Sequence, residues 1–127
     1  MRTSIVLVLA FLLIETPAFA VVPTIEKPIA IVRALDKMTA RVEVIELPMD
    51  KAVTFGSLVV NARTCRVTPP EEQPESAVFL EIGELKPGEK DAPVFHGWMF
   101  ASSPALSAME HPIYDIWLIG CKDAPKK

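Results

Sequence analysis

Apolar residues along this chain recur with a period of two, in short stretches broken by Pro, Gly and charged clusters. That period predicts strands with one buried face. Val42 and Val44 alternate with Arg41 and Glu43, which predicts a strand with the valines inward. At Ile45-Glu46-Leu47 the phase slips by one, the mark of a bulge or twist, and Pro48 ends the strand. Ala52 to Phe55 and Leu58 to Cys65 flank Gly56-Ser57, a hairpin in which Gly56 takes a positive φ. Val78, Leu80 and Ile82 face inward on the next strand, with Phe79 and Glu81 opposite. Val94 to Phe100 and Ile113 to Cys121 complete six strands. Between the last two, Ser103 as N-cap and Pro104 at the first helical position predict a short helix that ends before Pro112. Six strands, one short helical segment and no βαβ alternation predict an all-β fold, a small antiparallel sandwich or barrel.

The ends carry different signals. Arg2, the apolar run Ile5 to Ile14, the helix-breaking Pro17 and the small residues of Ala18-Phe19-Ala20 form a secretory signal pattern over residues 1–20. The run is about half the ~20 residues that a membrane span needs. Residues 21–33, with two prolines, read as an extended arm, residues 34–122 as a single β domain and 123–127 as a flexible tail. Between Pro69 and Glu75, three prolines among acids read as a solvated loop. No later apolar stretch is long enough for a span, and no Cys follows Ala20 to carry a lipid anchor.

Export changes how the cysteines are read. Cys65 and Cys121 are the only two, and in an oxidising compartment a lone even pair predicts a disulfide. The net charge of −3 leaves no basic face for nucleic acid. His96 and His111 are isolated in sequence and lack the close ligand spacing of a zinc site, so neither metal nor cofactor is expected. Ser102 or Ser103 with His111 and Asp115 has the residue types of a hydrolytic triad. No Gly-x-Ser-x-Gly elbow presents the serine, however, and Ser-Ser-Pro is explained by helix capping. Phe95, Trp98, Phe100, Tyr114 and Trp117 crowd into two adjacent strands. Phe95 and Trp98 fall on opposite faces, so part of this group must lie outside the core.

The run Gly97-Trp98-Met99-Phe100-Ala101-Ser102-Ser103-Pro104-Ala105-Leu106-Ser107-Ala108, followed by Glu110-His111-Pro112 and Tyr114-Asp115-x-Trp117, resembles the signature of domain-of-unknown-function family 2155. That family consists mainly of short exported alphaproteobacterial proteins. Ala34-Leu35-Asp36-Lys37, Phe55-Gly56-x-Leu58, Cys65-Arg66 and Phe79-Leu80-Glu81-Ile82 fit the same pattern, while His96 departs from it. The resemblance implies export to a Gram-negative periplasm and supports the Cys65–Cys121 pair; it implies no activity and transfers no catalytic residue. The expectation is a periplasmic accessory or interaction protein of the cell envelope, non-enzymatic, with an envelope protein or a small ligand as partner. Its binding residues are expected among Trp98, Ser102, Ser103, Glu110, His111, Tyr114, Asp115 and Trp117. The rival expectations are a small-molecule or glycan-binding domain and, behind it, a serine hydrolase.

Overall fold

The computed structural model describes Glu15, Pro17 and residues 22–88 and 92–126. The rest of the expected leader lies outside the described residues. Eight strands run in the order β1 (Ile25–Lys27), β2 (Ile29–Asp36), β3 (Arg41–Pro48), β4 (Val53–Phe55), β5 (Leu58–Val67), β6 (Ser76–Glu84), β7 (Ala92–Phe100) and β8 (Tyr114–Lys122). A four-residue 3-10 helix, Pro104–Ser107, lies between β7 and β8. The all-β fold expected from the periodicity is thus observed, as a sandwich of two antiparallel sheets. The larger is ordered β1-β5-β6-β7 with β4 also on β5, and the smaller β3-β2-β8.

The periodicity builds both inner faces. Leu58, Val60 and Ala62 on β5 and Val78, Leu80 and Ile82 on β6 are nearly inaccessible, as are Ala30, Val32 and Ala34 on β2 and Ile116 and Leu118 on β8. These residues and Leu47 form one continuous core. Cys65 on β5 is bonded to Cys121 on β8, 56 residues later, so the disulfide ties one sheet to the other.

Three expectations are corrected. Residues 21–33 are not an arm ahead of the domain. Their second half enters β2, the central strand of the smaller sheet, because Ala30 and Val32 supply its inward face. Among the described residues, this strand and β1 bring the count to eight strands where six are expected. Second, Val42 and Val44 face outward, 53% and 58% exposed, while Ile45 and Leu47 turn inward. No bulge interrupts β3, whose register against β2 runs unbroken from Pro48 to Arg41. Its phase is set by pairing with β2, which local alternation cannot reveal. Third, Ser103 makes no side-chain cap bond, and the helix it precedes is a single 3-10 turn. Such short pieces serve as connectors.

The turns follow local chemistry. The Asp36 carboxylate accepts hydrogen bonds from Met38 N (2.9 Å) and Thr39 N (3.3 Å), closing the β2–β3 turn. In the β4–β5 turn Gly56 has φ +56°, as expected. The Pro69–Glu75 loop hangs from buried Thr68, whose hydroxyl donates to Gln73 O and accepts from Glu75 N, both at 3.0 Å.

Candidate functional site

The connector from Phe100 to Tyr114 links the edge strands of the two sheets and carries most of the expected binding residues. Its start is pinned by Glu75, which accepts hydrogen bonds from Ser102 N at 3.1 Å and from the Ser102 hydroxyl. Burial is the largest single influence on the Glu75 carboxyl and pushes its pKa up. The bonds from Ser102 and from Ser76 N together outweigh it and hold the carboxyl below the usual range.

The far end of the connector is pinned by His111. Its Nδ1 accepts from Ile113 N (3.0 Å) and Tyr114 N (3.2 Å), which assigns the proton to Nε2 for donation to Glu84 at 2.9 Å. The imidazole side chain is only 6% exposed. Its hydrogen bond is the strongest influence on the Glu84 carboxyl and lowers its pKa against the opposing pull of burial. Tyr114 packs edge-on to Phe55, with ring centroids 5.7 Å apart. Its ring lies directly over Gly56, where an added Cβ would come within 2.3 Å of the tyrosine oxygen. Gly56 is therefore required twice, by its left-handed φ and by this close approach. Lys37 reaches the same region, donating to His111 O at 3.1 Å and pairing with Asp115 at 3.4 Å.

These contacts separate the residues of the expected triad. The Ser102 hydroxyl is held by Glu75, both ring nitrogens of His111 are occupied, and Asp115 faces Lys37. A general base needs a free nitrogen within hydrogen-bond reach of its nucleophile, and no such contact joins His111 to Ser102 or Ser103. His111 and Tyr114 brace the far end of the connector, and Glu110 is exposed beside them.

Two features on the smaller sheet adjoin each other, and Trp117 belongs to both. One is a groove of about 460 Å³ lined by Pro104, Ala105, Ala108, Met109, Asp115, Ile116 and Trp117. It runs between the connector and β8, which pairs with β2 on one side only. Met109 closes its floor at 5% exposure and joins the core, whereas the side chain of Leu106 lies outside the described residues. The second feature is the outer face of the smaller sheet. Inward alternation on β2 leaves Ile31, Arg33 and Leu35 outward, and Arg33 sits between Val44 on β3 and Trp117 on β8. Val42, Val44 and Ile119 are exposed there; Ile119 is the extra residue where the β2–β8 register slips.

The expected Trp98–Trp117 surface is split by this geometry. Trp98 points outward from the larger sheet, 37% exposed and edge-on to Phe79 at 5.5 Å. The two tryptophans lie on outer faces of different sheets. The facing of Arg33, Val42, Val44 and Ile119 depends on the phase of β3 and on β2 being a central strand, which local periodicity does not carry. The alternation of Val42 and Val44 with Arg41 and Glu43 marks the pair in the sequence but not the face it occupies.

A family model described as "Uncharacterized protein conserved in bacteria (DUF2155)" matches residues 30–121. The chain belongs to this family. The DUF2155 match takes in both cysteines, the connector, the groove and the Arg33 face. The chain is also 34% identical over 88 residues to "Uncharacterized protein RP359" of Rickettsia prowazekii (strain Madrid E), an alignment covering 69% of this chain. It spans 57% of that relative's length. No solved structure matches.

Proposed function

We propose that this DUF2155 protein is an exported, periplasmic accessory protein of the cell envelope that works by binding another protein, without catalysis. The observation that carries the reading is the position of Trp117, shared by an apolar groove and an exposed apolar sheet face. Tryptophan concentrates binding energy where such surfaces meet a partner, and an exposed apolar patch on a small domain marks contact rather than stability. Export rests on the leader pattern of residues 1–20, and an inter-sheet disulfide suits an oxidising compartment. The groove's volume also falls in the range of about 300–1,000 Å³ used by small-molecule sites, which supports a small ligand or glycan as the second reading.

The test replaces the two tryptophans separately in a strain lacking the chromosomal copy. Trp117→Ala is expected to lose complementation and Trp98→Ala to retain it, with both variants melting within a few degrees of wild type. Fractionation should place the chain in the periplasm with Val21 as its first residue. Full complementation by Trp117→Ala, or retention in the cytoplasm, overturns the reading.

A further inference from the structure

Arg33 is the one charge at the centre of the apolar outer face. Its cross-strand neighbours are Val44 and Trp117, and Ile31 and Leu35 flank it along β2. The other charges on this face are matched: Lys37 with Asp115, and Lys122 with Glu46. Arg33 has no ion-pair partner among the described residues, so this face carries one uncompensated positive charge on a chain of net charge −3. Covering it without supplying an anion would leave a guanidinium desolvated and unpaired, at a cost that cancels the gain from the apolar ring.

We propose that this face docks a segment of a different protein that presents one carboxylate, flanked by apolar side chains, to Arg33. The inference rests on the interaction reading above and names the partner's chemistry. A planar guanidinium binds a carboxylate through two parallel hydrogen bonds, and the surrounding valines, leucine, isoleucines and tryptophan exclude water from that pair. A second copy is disfavoured by symmetry. A twofold contact centred on this face would set Arg33 against the Arg33 of the other copy, a like-charge opposition. An anionic membrane would call for a cluster of about four to eight basic residues, and here a single one is unmatched. Sugars need several hydrogen-bonding groups, and the ring around Arg33 offers aliphatic carbon and an indole.

The experiment places a photo-crosslinking residue in the full chain, in the bacterium that makes it. Position 44 reports on the Arg33 face, position 105 on the groove and position 79 on the opposite sheet as control. Position 44 is expected to crosslink to another protein, at a peptide containing Asp or Glu among apolar residues. Arg33→Glu should reduce that crosslink at least tenfold without shifting the melting temperature, and exchanging the partner's carboxylate for Lys should restore it. Crosslinks from 44 to a second copy or to lipid overturn the proposal, as does a position-44 crosslink indifferent to Arg33→Glu. If position 105 still crosslinks to a protein in any of those cases, the interaction reading stands and only the Arg33 chemistry fails. Silence at both positions overturns both.

Discussion

At the scale of single residues, the polar side chains of the connector act chiefly as fasteners. Ser102 illustrates how such a role is measured. A carboxyl whose folded pKa is depressed contributes stability that is fully present above its unfolded pKa of about 4.3 and is lost as pH falls through the lower folded value. The Glu75 carboxyl is held down by Ser102 and Ser76 against its own burial. Ser102→Ala removes the hydroxyl's share of that support and is expected to cost about 1 kcal/mol at neutral pH, a modest figure because the contact is solvent-exposed. The deficit should shrink as pH falls from about 4.3, since the protonated carboxyl gains less from a donated hydrogen bond. Urea midpoints of wild type and variant at pH 7 and pH 3 check this. An equal deficit at both values would contradict the assignment.

At the scale of elements, the connector between β7 and β8 is a packed segment anchored at both ends. Met109 is the point where it enters the core, and Glu110 next to it is exposed. Met109→Ala is therefore expected to destabilise by roughly 2–5 kcal/mol, whereas Glu110→Ala stays within about 0.5 kcal/mol of wild type. Chemical denaturation of the two variants separates them. Near-equal midpoints would mean that the connector does not contribute to the core. The same scale sets the outward face of β3. Arg41 to Val44 alternates cleanly, but alternation gives only the spacing of the two faces. The face that is buried is decided by the register against β2, and β2 itself was hidden in a segment whose prolines and missing turn signals read as an arm.

At the scale of the whole molecule, the Cys65–Cys121 bond closes a loop of 56 residues and ties the larger sheet to the smaller. In the chain-entropy model, closing such a loop stabilises by about 4 kcal/mol, a large share of the ~5–15 kcal/mol typical of a domain. Reduction is expected to lower the denaturation midpoint accordingly, and native protein should show no titratable thiol. Calorimetry with and without reductant, alongside thiol titration, tests both statements. A melting temperature unchanged by complete reduction would show that the core alone holds the sheets together.

The amino-acid sequence by itself determined the all-β class, the Gly56 turn, the pairing of the cysteines and the inward face of β6. Each follows from short-range periodicity, a backbone conformation that only certain residues tolerate, or a simple count. Tertiary structure alone decided that Ile29–Asp36 is a central strand, that Val42 and Val44 face solvent and that Trp98 and Trp117 lie on different outer faces. It also decided that His111 would be satisfied by Glu84 and two backbone amides, and that Arg33 would stand unmatched in an apolar ring. These properties depend on which strands pair and in what register, over separations of up to about ninety residues. A one-residue change of register exchanges the two faces of a strand, so no local pattern along the chain specifies them.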